Sequence, residues 1–124
     1  MPIDDLYATI GEAQIARLVA SFYSQIAADD ILGPMYPSDD LARAEQRLRD
    51  FLIGRFGGPQ RYIEQRGHPR LRMRHAPFRI DQCARDRWIV LMTQALDQCA
   101  LPAEAREAVL DFFSTTATFM INAH

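Results

Sequence analysis

The stretch His68-Pro69-Arg70-Leu71-Arg72-Met73-Arg74-His75-Ala76-Pro77-Phe78-Arg79-Ile80 decides how the rest of the chain is read. Two histidines, two prolines and four arginines crowd into these thirteen residues. Pro69 can only open a helix, and Pro77 pushes Ala76 out of helical geometry. Leu71 to His75 is therefore a single turn, too short to be stable alone and held in place by its surroundings. One imidazole beside apolar residues and a cluster of guanidiniums suits a metal-centred anionic cofactor, with haem the first candidate. The plainer alternative is a hydrogen-bonded core histidine, the commoner fate of a lone histidine among apolar neighbours. From this stretch alone both stay open.

On the C-terminal side, Asp81 is placed to cap a long helix whose apolar face carries Ala84, Trp88, Leu91, Met92, Ala95, Leu96 and Cys99. Pro102 then opens a last helix with Ala105, Ala108, Val109, Phe112, Phe113, Thr116 and Phe119. On the N-terminal side, Pro59 to Gln65 predicts a brief helix ended by Gly67. Before it, Leu41, Ala44, Leu48, Phe51, Leu52 and Phe56 mark a helix capped by Ser38, Asp39 or Asp40 and stopped at Gly57-Gly58-Pro59. Gly33, Pro34 and Pro37 bend the chain around Tyr36. A long amphipathic helix, residues 12–28, carries Ile15, Leu18, Val19, Phe22, Tyr23 and Ile26 at spacings of three and four. A shorter one, residues 3–10, ends at Gly11. No strand-like alternation and no internal repeat interrupts this pattern, so the fold class is all-α.

At 124 residues the chain is expected to be one domain, residues 1–124, large enough to bury about two thirds of its unfolded surface. All fourteen basic residues are arginine and the formal net charge is -2. Five arginines lie between Arg66 and Arg79, but without regularly spaced stacking aromatics they do not make a nucleic-acid site. No apolar run is long enough to cross a bilayer, and Met1 to Tyr7 lacks the features of a signal peptide. The expected location is cytoplasmic, with no membrane partner. Cys83 and Cys99, if on one helix, stand about 24 Å apart, too far for a disulfide, and are expected as free thiols packed like small hydrophobes. Phosphate loops, nucleophile elbows and zinc motifs are absent. His68 and His75 do not make a zinc pair, because the spacing is wrong and no thiol or carboxylate completes a set.

Phe22-Tyr23, Tyr36-Pro37, Gly57-Gly58-Pro59, Gly67-His68-Pro69, the run from Arg72 to Phe78, and Trp88 together resemble the group II truncated haemoglobins. The resemblance covers almost the whole chain and rests on several uncommon residues at matching separations. It implies a truncated globin fold in which two antiparallel helix pairs, 2-on-2, enclose haem b. One departure is Gly11-Glu12, where the family often has a glycine pair, which leaves the start of the long helix unfixed.

By the same resemblance His75 is the proximal iron ligand, and Tyr23, Tyr36 and Trp88 form the distal, ligand-stabilising cluster. Ala44 falls where larger globins carry a distal histidine, with Leu48 one turn later. Arg47, Tyr62, His68 and Arg72 are expected at the propionates, Phe78 against the ring, and Met92 in the wall of the cofactor site. Without the resemblance Tyr23, Tyr36 and Trp88 read as core or anchor aromatics, and Arg47 and Arg72 as solvated surface.

A small Ala44 cannot hydrogen-bond an iron ligand, so the donors must come from elsewhere. A phenol and an indole each aim one donor from a rigid apolar body. Each donor to partially charged dioxygen is worth about 1.5–3 kcal/mol in a dry pocket. Two slow its release by about two to four orders of magnitude. Retention favours redox chemistry on dioxygen, nitric oxide or peroxide, with an electron-donating reductase as partner, over oxygen delivery. Carbon monoxide is a further expected ligand. A gas sensor or an oxygen store without turnover is the alternative, a cofactor-free scaffold ranks below both, and self-association is left open.

Overall fold

The computed structural model describes residues 1–124. Six α-helices follow one another: α1 (Leu6–Ile26), α2 (Leu41–Arg55), α3 (Arg61–Arg66), α4 (Leu71–Arg74), α5 (Gln82–Asp97) and α6 (Ala103–Phe119). Short 3-10 turns lie at Ile3–Asp5 and Gly33–Met35. There is no strand, as the helical periodicities require.

The apolar stripes select the partners. Ile15, Leu18, Val19, Phe22 and Ile26 of α1 are all buried and meet both α2 and α5, while α5 packs on α6. The result is two helix pairs, α1 with α2 and α5 with α6, joined through the α1–α5 contact and sharing one apolar core. No helix is long and apolar enough to cross a membrane.

Local chemistry explains most boundaries. The Asp81 carboxylate accepts from the Ala84 N–H at 2.8 Å, so the cap of α5 is as expected. Gly11 is the one residue of α1 outside helical geometry (φ 81, ψ 162). α1 is therefore two helical segments that meet at a kink, the first ending at Gly11 as expected, with the long segment carrying Ile15 to Ile26 beginning just after it. Pro102 immediately precedes α6.

Two expectations are corrected. Asp40 flanks α2 but does not cap it, because its carboxylate is bound by the Arg47 guanidinium at 2.7 Å. Both cysteines are free, but α5 stops at Asp97 before reaching Cys99, and Cys83 is exposed rather than packed.

Gly57-Gly58 does more than stop α2. Gly57 has φ 101, and the Cβ of any other residue would run into the Asp4 carbonyl. Beside it the Tyr7 N–H donates to the Phe56 carbonyl at 2.8 Å. The glycines let the start of the chain lie directly on the end of α2.

Candidate functional site

The two helix pairs leave a cavity of about 520 Å³ between them, within the range of about 300–1,000 Å³ common for small-molecule and cofactor sites. Each wall follows from helix geometry. Ala44, Arg47, Leu48 and Phe51 of α2 line it at spacings of three and four. Ala84, Arg85 and Trp88 come from α5, and Phe112, Phe113, Thr116 and Ala117 from α6.

His75 reaches the cavity from the C-terminal end of α4. Its Nδ1 lies 2.7 Å from the Leu71 carbonyl. A carbonyl only accepts, so Nδ1 carries the proton and Nε2 of the neutral ring keeps its lone pair for a metal. No group of three metal-ligating side chains exists anywhere in the structure. A metal held by His75 must therefore bring its other ligands with it. Leu71 and Arg74 line the cavity with His75, and the Phe78 ring is 6.4 Å from the imidazole between centroids.

Tyr23, Tyr36 and Trp88 line the same cavity. The Tyr23 and Tyr36 rings meet edge to face at 5.8 Å, while Trp88 is wedged between Phe22 at 4.9 Å and Phe113 at 5.1 Å. Rigid aromatic packing of this kind fixes where an O–H or N–H points. Burial raises the pKa of both phenols, and Tyr36 further raises that of Tyr23. For Tyr36, the approach of Trp88 and Tyr23 pulls the other way. Both phenols are neutral donors at neutral pH.

Arg47, Arg66 and Arg74 give the cavity a cationic border. The Arg47 guanidinium holds the Asp40 carboxyl below its usual range. Arg74 donates to the Arg66 carbonyl at 3.2 Å and lies 6.0 Å from the Tyr62 ring centroid. Apolar walls, one imidazole with a free Nε2, and arginines at the border fit a haem, whose macrocycle is apolar, whose propionates are anionic and whose iron accepts an axial imidazole.

Nine of the twelve residues singled out in the sequence therefore share one cavity: Tyr23, Tyr36, Ala44, Arg47, Leu48, Tyr62, His75, Phe78 and Trp88. His68, Arg72 and Met92 are not brought to it. His68 is exposed after Gly67, its Nδ1 accepting from the Arg70 N–H at 3.2 Å. Arg72 turns away and donates to the Phe119 and Ile121 carbonyls, each at 3.2 Å. Met92 is fully buried in the core, about 12 Å along α5 from Ala84. Arg66, Arg74 and Arg85 line the cavity without having been singled out, as do Phe112, Phe113 and Thr116. The α6 periodicity marked those last three as inward facing, but not as facing a cavity.

Residues 5–122 match the bacterial-like globin family. The group 2 truncated haemoglobin of Bacillus subtilis is 39% identical over 116 residues, covering 94% of this chain and 87% of that protein. A thermostable haemoglobin from the actinobacterium Thermobifida fusca superposes with a TM-score of 0.91 at 47% identity, over 94% of this chain and 96% of that one. A truncated haemoglobin from Bacillus subtilis, described as oxygen-avid, superposes with a TM-score of 0.90 at 38% identity, over 94% and 98% of the two chains.

Proposed function

The chain belongs to the bacterial-like globin family, among the group II truncated haemoglobins, and on that premise we propose that it retains dioxygen tightly for redox chemistry rather than for delivery. It is an oxygen-binding haem globin. Haem b, when bound, supplies an iron that takes up diatomic ligands. The observation that carries the proposal is His75, whose Nδ1 is committed to the Leu71 carbonyl at 2.7 Å while the ring lines the same cavity as three donor side chains.

The chain's own residues then divide the work. His75 Nε2 would hold the haem iron, and the bond from Nδ1 to the Leu71 carbonyl fixes the tautomer and ring orientation for that role. Arg47, Arg66 and Arg74, at the border of the cavity, would pair with the anionic propionates. Phe51, Phe78 and Phe112, which line the cavity, would exclude water from around the macrocycle. Tyr23, Tyr36 and Trp88 would offer donors to a gas ligand from rings already packed in place, so little reorganisation would be needed to hold it. Because burial raises both tyrosine pKa values, the phenolic protons stay on oxygen and remain available as donors.

Strong retention disfavours delivery and favours oxidation of nitric oxide to nitrate, or turnover of peroxide, with electrons from a reductase. The oxygen-avid relative supports the retention half of this reading. The test is nitric oxide consumption by the oxygenated protein with a reductant supplied. Sustained consumption with nitrate formed in equal amount is expected. A single stoichiometric turnover, with neither further nitric oxide consumption nor peroxide turnover, would replace catalysis by storage or sensing.

A further inference from the structure

His75 depends on the least self-supporting part of the fold. The α4 helix has only four residues, too few to persist alone, and is entered through Arg70 in the left-handed region at φ 44. Residues 76–79 beyond it are all exposed. No large packed face holds the imidazole.

Beyond the Leu71 carbonyl that orients the ring, what holds the turn that carries it is the segment following α6. The Asn122 Oδ1 accepts from the Ile80 N–H at 2.8 Å. Its Nδ2 donates to the Phe78 carbonyl at 2.9 Å and, at longer range, to the His75 carbonyl at 3.4 Å. The main-chain N–H groups of Asn122 and Ala123 both donate to the Ile80 carbonyl, at 2.9 and 3.1 Å. From the other side Arg72 reaches the Phe119 and Ile121 carbonyls. The amide orientation is dictated by its partners, since Ile80 offers only a donor and Phe78 only an acceptor there. A primary amide satisfies both at once, whereas a carboxylate satisfies one and opposes the other.

We infer that Asn122 is the positioning residue for His75: its side-chain amide clamps the two ends of the turn running from His75 to Ile80 and thereby sets how His75 meets the haem iron. Asn122 does not line the cavity. It acts through main-chain atoms 75, 78 and 80. The inference rests on His75 being the axial ligand.

The test uses the haem-loaded ferrous protein. The readouts are the iron–imidazole stretching band in resonance Raman, the rate of haem transfer to excess apomyoglobin, and hydrogen exchange at the Ile80 amide. Asn122→Leu keeps the branched outline of the side chain and removes both hydrogen-bonding arms. It should shift or broaden the band, speed haem loss about tenfold and unprotect the Ile80 amide. Asn122→Asp keeps the acceptor alone and should fall between; should the leucine variant not fold, it carries the test by itself. Val109→Ala, a core truncation in α6, should lower Tm without moving the band. A wild-type band that Asn122→Leu or Asn122→Asp leaves unmoved, with haem loss unchanged, overturns the inference alone. A wild-type protein without the band overturns the His75 assignment, and the inference falls with it.

Discussion

Replacing Trp88 by Phe tests one of the three proposed distal donors. The indole is half-buried and packed between Phe22 and Phe113 at 4.9 and 5.1 Å. A benzene ring keeps much of both contacts, so the cost should stay near that of a volume-conserving core change, below about 1.5 kcal/mol, and the fold survives. What disappears is the indole N–H. A hydrogen bond to a charged acceptor contributes about 1.5–3 kcal/mol, and each 1.4 kcal/mol is about a factor of ten. Oxygen release should therefore quicken about 10- to 150-fold.

Tyr36 does not mask the loss. Trp88 is the main group drawing the Tyr36 pKa down, so without it burial acts with less opposition and the phenol stays protonated. The assay is stopped-flow displacement of oxygen by excess carbon monoxide. Carbon monoxide bears little charge, so its own release should change by less than about threefold. An oxygen off-rate equal to wild type would refute the claim that the indole reaches the ligand.

Two further outcomes are expected. Gly57→Ala should destabilise the fold by about 2 kcal/mol or more, since it combines a strained positive φ with a collision against the Asp4 carbonyl; calorimetry should find Tm lower by about 10 °C. Because burial raises the pKa of Tyr23 and Tyr36 above its unfolded value of 10.0, their stabilising contribution is complete below pH 10 and fades as pH rises beyond it. In a 295 nm titration, the absorbance difference between wild type and the Tyr23→Phe/Tyr36→Phe variant should stay flat through pH 10, and a normal phenolate step there would contradict the burial of these groups.

The helices and their stripes were legible in the sequence because the apolar spacings of α1, α2, α5 and α6 are long and regular, and Asp81, Gly57 and Pro102 punctuate them with residues that have few other uses. The site was legible where a residue's phase on its helix was fixed by neighbours. Ala44, Arg47, Leu48 and Phe51 share one face, so recognising one locates the rest.

In α4 the sequence alternates Leu, Arg, Met and Arg, which gives no helical phase. At 100° per residue Leu71, Arg74 and His75 point one way, and all three line the cavity. Arg72 and Met73 point elsewhere, Met73 being 59% exposed. Met92 shares a face with Trp88, but depth along a helix is invisible to periodicity, and the stripe runs past the cavity into the core. The role of Asn122 depends on contacts 42 to 47 residues away in sequence. No local pattern announces it.

The most direct test of His75 as the axial ligand is the visible spectrum of the ferrous carbon monoxide complex for wild type and His75→Gly, each with and without added imidazole. Wild type should show the Soret band of an imidazole-ligated complex. His75→Gly should lose that band or retain it displaced, and free imidazole filling the vacated volume should restore it. A His75→Gly spectrum identical to wild type in the absence of imidazole would contradict the assignment of this residue to the iron.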